Sequence, residues 1–253
     1  MKLIHKFKSP NFNERKYNKI KFIIIHYTAL QSISESIKYL SSKNNKVSSH
    51  YLISKSGIVY NLVSEKKRAW HAGISYWQGN YDINSLSIGI ELDYSPYDRN
   101  HKFTKDLNYS LIKLLKKLIK KYEIKSENIL GHSDISPYRK VDPGKNFPWH
   151  LLQDQGIAYK IKKLKERKKI LHFLEKWFLI NKFNSKKKII LFMLNYIGYD
   201  VSLALNSKSN FDQLILIYCN RFRYYKNYNY NKRRIFNVIE LHFCNILLTK
   251  IKK

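Results

Sequence analysis

An α/β domain followed by a small all-helical region is the fold that the sequence predicts, and three observations predict it. Short apolar runs with strand patterning recur up to about residue 153 and are mixed with helical periodicity. A five-leucine stripe at helical spacing follows the third of those runs. Past Lys160 the strand patterning stops, and one helical piece follows another to the C-terminus.

The elements follow in chain order. FIII (22–25) is a short apolar run ending at His26 and Tyr27, and it predicts a buried strand. VSSHYLISKSGIVYNLV (47–63) predicts two strands around a Ser56-Gly57 turn. LSIGIEL (86–92) alternates as a third strand, with Ile88 and Ile90 on one face and Gly89 and Glu91 on the other. LNYSLIKLLKKLIKKY (107–122) is helical, with Leu107, Leu111, Leu114, Leu115 and Leu118 in one stripe and a solvated lysine face opposite. NILGHSDI (128–135) leads into a loop holding Pro137, Pro143 and Pro148. The charge run IKKLKERKK (161–169) reads as a linker or exposed helix. Four helical pieces follow, at 171–180, 188–199, 211–222 and 237–253. His172 and His242 sit among apolar residues there and read as packed or surface histidines.

Composition narrows the function classes. The 253 residues hold 48 Lys and Arg against 18 Asp and Glu, a net charge of +30, with 44 % hydrophobic residues. That apolar content excludes wholesale disorder. Two cysteines, Cys219 and Cys244, make neither a disulfide framework nor a Cys-x-x-Cys metal site. No apolar run is long enough for a transmembrane helix, and the basic start lacks the apolar core of a signal peptide. The expectation is therefore a cytoplasmic protein as written, with an envelope or periplasmic location if the start is trimmed or misassigned. Residues 1–150 carry +14 and residues 151–253 carry +16, so the positive charge is spread along the chain. Lys, Asn, Ile and Tyr share A/T-rich codons, and codon bias explains the excess without a nucleic-acid ligand. A polyanion such as cell wall or a membrane surface stays open as a partner.

Chemistry concentrates in a few positions. His26 ends an apolar strand, His132 follows Gly131 in GHSDI, and Asp142 opens the step DPG. Singly each reads as structural. Together they fit a tetrahedral zinc site of two histidines and a carboxylate with one open position for water. Bound zinc lowers the pKa of water toward about 7. Such a site also needs a base and a cation to balance the oxyanion. Glu91 suits the first role, and Lys140, two residues before Asp142, suits the second if that segment is extended.

These residues lie in segments that carry a resemblance: SPNFNER (9–15), FIIIHYTA (22–29), VSSHYLISKSGIVYNLVSE (47–65), AWHAGISYW (69–77), NSLSIGIEL (84–92), NILGHSDISPYRKVDPG (128–144) and FPWHLL (147–152). In order and spacing the chain resembles the AmiD/AmpD group of zinc-dependent N-acetylmuramoyl-L-alanine amidases, and within it the AmiD type. The resemblance implies the fold shared with the peptidoglycan-recognition proteins, a mixed central β-sheet flanked by helices. It implies His26, His132 and Asp142 as zinc (Zn2+) ligands, Glu91 as general acid/base, and Lys140 as the oxyanion-stabilising residue. The implied reaction is hydrolysis of the amide between N-acetylmuramic acid, intact or 1,6-anhydro, and L-alanine of the stem peptide, in cell-wall turnover or recycling. Related phage lysozyme-type amidases place a catalytic Tyr where this chain has Ser49, which leaves proton transfer to Glu91. His50 is expected in strand packing or behind the ligands and His71 along the groove. Trp70 and Trp77 are expected either to stack on sugar or peptide or to be buried.

The domain expectation is a catalytic domain over 1–157 and a helical region over 158–253. The latter resembles a degenerate peptidoglycan-binding domain through LNYIGYDV (194–201) and LILIYCNRFRYYKNY (214–228). Cys219 and Asn220 stand there in place of a Phe-Gln pair, and Tyr224 in place of Pro. The expected partners are peptidoglycan or muropeptide fragments and no specific nucleic acid. A non-catalytic muropeptide-binding module of the same fold is the alternative.

Overall fold

The computed structural model describes residues 1–98, 102–165, 167–222 and 232–251. Its Cα trace divides into two compact units, one of residues 1–76 and 80–159 and one of residues 77–79 and 160–253.

The first unit contains β1 (Leu3–Ile4), β2 (Phe12–Glu14), β3 (Phe22–Tyr27), α1 (Ile33–Ser41), β4 (Tyr51–Ile53), β5 (Val59–Asn61) and β6 (Lys67–Ala69). It continues with α2 (Ile83–Leu86), β7 (Ser87–Leu92), α3 (Lys105–Tyr122), β8 (Ile129–Gly131), α4 (His132–Ile135) and α5 (Trp149–Asp154). Six strands form one sheet in the order β1-β5-β4-β7-β3-β8, and β2 pairs with β6 in a separate antiparallel ribbon. Within the sheet only β4 and β5 run antiparallel, the hairpin expected around Ser56-Gly57. β3 runs parallel to both β7 and β8, and β4 runs parallel to β7.

The alternation of β3 and β7 divides their side chains between two layers. Ile23, Ile25, Ile88 and Ile90 point into a core with Leu107, Leu111, Leu114, Leu115 and Leu118 of α3. All five leucines are at most 1 % exposed. At roughly 2 kcal/mol for each fully buried leucine, this contact is the main attachment of α3. The Thr104 hydroxyl caps the helix by accepting from the Leu107 N–H at 3.2 Å. On the other face Leu52, Tyr60 and Leu62 pack against Leu40 of α1. His26 and Glu91 belong to this second face, at the carboxyl ends of their strands.

The second unit is built from α6 (Arg167–Ile180), α7 (Lys186–Ile197), α8 (Ser202–Asn206), α9 (Lys208–Arg221) and α10 (Lys232–Ile251). The sequence pattern missed α8, a single short turn with only Ala204 buried. Leu194, Tyr199, Leu214 and Ile239 are fully buried. Trp177, Phe178, Phe183 and Phe192 form an aromatic cluster with centroids 5.3–5.9 Å apart. Trp77 is buried in this unit, its ring edge-on to Tyr199 at 4.9 Å, so of the two expectations for Trp77 the buried one holds. Tyr224 and the rest of 223–231 lie outside the described residues. His172 is exposed, whereas His242 is buried beside Tyr218 and Phe222.

His242 gives this unit an acid sensitivity. Burial, followed by the nearby Arg221 charge, pulls its pKa from 6.5 to about 3. The unfolded chain takes up this proton below pH 6.5 and the folded chain does not, so stability falls as pH drops from 6.5 toward 3. The slope from one such proton is about 1.4 kcal/mol per pH unit. His242→Leu should flatten the acid limb of a urea-unfolding pH series by about that slope. Parallel limbs in the variant and the wild type would contradict the assignment.

Candidate metal centre

Three adjacent strand ends build the centre. The register places His26 of β3 level with Glu91 of β7, and Ile25 level with Gly131, the residue before His132. Parallel strands thus deliver three functional side chains to one edge of the sheet, outside their carboxyl ends. Asp142 arrives from the loop after α4, held by its own carbonyl, which accepts from the Ser133 N–H at 2.8 Å. Asp134 caps the start of α4 by accepting from the Gly131 N–H at 2.7 Å. Gly131 is required here, because a Cβ would lie 2.5 Å from Pro143 Cδ in the loop that presents Asp142.

The donor atoms converge. His26 Nδ1 lies 3.0 Å from His132 Nδ1 and 3.2 Å from Asp142 Oδ2, and His132 Nδ1 lies 3.1 Å from the same oxygen. All three residues are buried and form the one His/Asp group among the described residues with metal-ligand geometry. A tetrahedral ion with ligand bonds of roughly 2.0–2.1 Å has edges of about 3.3–3.4 Å, so the three atoms sit close to three corners of such a polyhedron. Two imidazoles and one carboxylate are also the donor chemistry of open-position metal sites. The residues fit a metal ion.

Glu91, Lys140 and Asp142 share a cavity of about 350 Å³ with His26, His71 and His132. The buried Oε2 of Glu91 has no hydrogen-bond partner among the described residues. Burial, and after it the Asp142 charge, raises the Glu91 pKa to about 8, with Lys140 opposing. Burial acts the same way on Asp142, but the two imidazoles beside it, His132 first and then His26, outweigh it and hold Asp142 below the usual carboxylate range. Burial, and then His132, pulls His26 down to about 4. Two carboxylates in one cavity are thereby driven to opposite protonation tendencies.

Behind the centre stands a second ring of groups. His71 is buried, with Nδ1 3.0 Å from His26 Nε2, and it also reaches the cavity. Gly89 makes its room: a Cβ there would lie 2.4 Å from His71 Cγ. His50 Nδ1 accepts from the Gly89 N–H at 3.0 Å, which makes His50 a strut for β7. The sequence did not single out Arg15 or Arg139. Arg15 donates to the carbonyls of Glu65, Asn84, Ser85 and Ser87 at 2.7–3.1 Å, pinning the turn that leads into β7. Arg139 lines the cavity and donates to the carbonyls of Ala72 and Ile74. Ser49 is buried with its hydroxyl donated to the Tyr51 carbonyl, outside the cavity lining. Trp70 is half-buried, donates to Asn13 Oδ1, and does not line the cavity either.

The family described as N-acetylmuramoyl-L-alanine amidase matches residues 16–145, a stretch holding His26, Glu91, His132, Lys140 and Asp142. The chain belongs to that family. Among curated relatives, AmiD of Escherichia coli is 42 % identical over 155 residues, which are 56 % of this chain and 55 % of AmiD. AmpD of Haemophilus influenzae is 34 % identical over 160 residues, 56 % of this chain and 85 % of that protein. The chain thus spans about half the length of the curated AmiD it matches. Among solved structures, Escherichia coli AmiD in complex with anhydro-N-acetylmuramic acid-L-Ala-D-gamma-Glu-L-Lys superposes with a TM-score of 0.70 at 28 % identity, covering 95 % of this chain and 98 % of that one. AmpDH3 of Pseudomonas aeruginosa gives 0.73 at 28 % identity, with 91 % and 93 % covered. The amidase family and the mixed sheet with flanking helices both agree with the sequence reading. No described helix is long and apolar enough to cross a membrane.

Gly89→Ala should cost about 1–3 kcal/mol of unfolding free energy through overpacking against His71. A double-mutant cycle checks the cause: in a His71→Ala background the penalty should shrink to a fraction of that value. An equal penalty in both backgrounds would show that the clash lies elsewhere.

Proposed function

We propose that this chain is a zinc amidase that hydrolyses the amide between N-acetylmuramic acid, intact or 1,6-anhydro, and L-alanine of the peptidoglycan stem peptide. The observation that carries the reading is a buried His26/His132/Asp142 donor triangle and a carboxylate oxygen of Glu91 with no hydrogen-bond partner among the described residues, both in one cavity. Family membership and the muropeptide bound by the AmiD relative support it.

In this reading His26, His132 and Asp142 hold the ion. When bound, zinc supplies Lewis acidity that polarises the scissile carbonyl and acidifies water. Glu91 takes a proton from the attacking water and passes it to the leaving amine nitrogen of L-alanine as the C–N bond breaks. A proton affinity raised by burial suits the second half of that task, because a protonated Glu91 is then not costly. Lys140 balances the charge that gathers on the carbonyl oxygen. Residues 1–157 supply the whole of this machinery, and 158–253 serve as an appended helical domain. The substrate class assigns the enzyme to bacterial cell-wall turnover or recycling. The same fold used only to bind muropeptide is the weaker reading, since all five positions keep functional residue types.

Glu91→Gln and Lys140→Ala should keep one zinc per chain yet lose at least about 100-fold in turnover of muropeptide substrates, read by chromatography of the released stem peptide. Asp142→Ala should lose the metal itself. Wild-type rates in the first two variants, or full zinc occupancy in the third, would overturn the roles assigned here.

A further inference from the structure

Hydrogen-bond polarity can be followed inward from a carbonyl. The Ser87 hydroxyl donates its one proton to the Ile83 carbonyl at 2.6 Å, and a carbonyl can only accept. Ser87 Oγ therefore has only lone pairs left for His71 Nε2, 3.2 Å away, so His71 carries its proton on Nε2. His71 Nδ1 is then an acceptor, and the group 3.0 Å from it, His26 Nε2, must donate. The last consequence falls on His26 Nδ1: in the neutral ring it keeps the lone pair, 3.0 Å from His132 Nδ1 and 3.2 Å from Asp142 Oδ2, where a metal ion would take it.

A second, shorter chain reaches the other histidine. His132 Nε2 lies 3.0 Å from the Ala72 carbonyl, which can only accept, and 3.5 Å from Arg139 Nη2, which can only donate; the shorter contact puts the proton on Nε2, and the neutral ring then keeps its lone pair on Nδ1. Arg139 donates to the same carbonyl at 2.8 Å and fixes its position. Both partners, the His71 side chain and the Ala72 carbonyl, come from one segment immediately after β6. That segment is bound at its base by the Asn84 side-chain oxygen, which accepts from the His71 and Ala72 N–H groups at 3.0 and 2.8 Å.

We infer that the His71-Ala72 segment is a tautomer lock, holding the protons of His26 and His132 on Nε2 so that both Nδ1 lone pairs face the metal position. His71 is a positioning residue in this scheme, acting through His26. The lock explains why Gly89 has no side chain and why Asn84 is buried, since one leaves space for the imidazole and the other fixes its backbone. Outer-shell partners of this kind typically affect metal affinity by 10–100-fold.

The inference rests on the metal reading of the site, and the test separates the two. Long-range 1H–15N spectra of histidine-labelled, metal-free protein should show protonated Nε2 on His26 and His132. A neutral His26 with its proton on Nδ1 would overturn the lock, whatever the protein binds. Zinc competition with a chelator then reads the consequence. His71→Leu should bind zinc 10–100-fold more weakly than wild type. His71→Asn, whose Oδ1 stands one bond from Cγ as Nδ1 does, should recover most of the loss, with thermal unfolding run on both variants as a control for folding. Equal zinc affinity in wild type and His71→Leu would contradict the lock and leave the metal reading standing, whereas no zinc binding by wild type would remove the metal reading.

Discussion

The parallel register of β3 against β7 and β8 is the constraint on which the rest depends. Ile23 and Ile25 lie opposite Ile88 and Ile129 or Ile90 and Gly131, and the isoleucines point into the α3 leucine stripe. Side chains alternate along a strand, so a slip of one residue would turn His26 into that apolar core and Ile25 toward the cavity. An imidazole buried there without partners costs a few kcal/mol, and the apolar layer would lose its own packing as well. The hydrophobic face thus sets the register, and the register sets the chemistry. His26 is level with Glu91, and His132 follows directly from the neighbouring strand.

Electrostatics then differentiate groups that the sheet has only brought together. Desolvation at the sheet edge disfavours every charge, which is why His26, His50 and His71 are all held below their ordinary pKa values. Asp142 is held low because the two imidazoles facing it outweigh its burial, and Glu91 is held up by burial first and by the Asp142 charge second. Each carboxylate has the proton affinity its surroundings impose, and those surroundings are set by strand ends that no single substitution relocates.

Much of this was legible in the sequence because it is periodic or local. The apolar run before His26, the alternation in SIGIEL and the leucine stripe of α3 all report burial through spacing alone. The five residues proposed for the site stand out in the sequence by their positions in family motifs, and the structure places all five on one cavity. Other features are set by contacts across the fold and left no local signal. The place of His71 behind His26 depends on the empty Cβ position at Gly89, eighteen residues away. Arg15 looks like any surface arginine until its guanidinium is seen gathering four carbonyls. The sequence leaves Trp77 open between sugar stacking and burial, and only its edge-on contact with Tyr199 decides for burial. α8 was missed because a five-residue helix has no room for a periodic pattern.

The claim that most needs direct evidence is that the strand ends present two imidazole nitrogens and one carboxylate oxygen to a single ion. X-ray absorption at the zinc edge, on wild-type protein loaded with one equivalent of zinc, addresses it. The account predicts a shell of nitrogen and oxygen ligands at about 2.0–2.1 Å, with the outer-shell scattering of two imidazoles and no sulfur. A spectrum with sulfur at about 2.3 Å, or an all-oxygen shell without imidazole scattering, would contradict it.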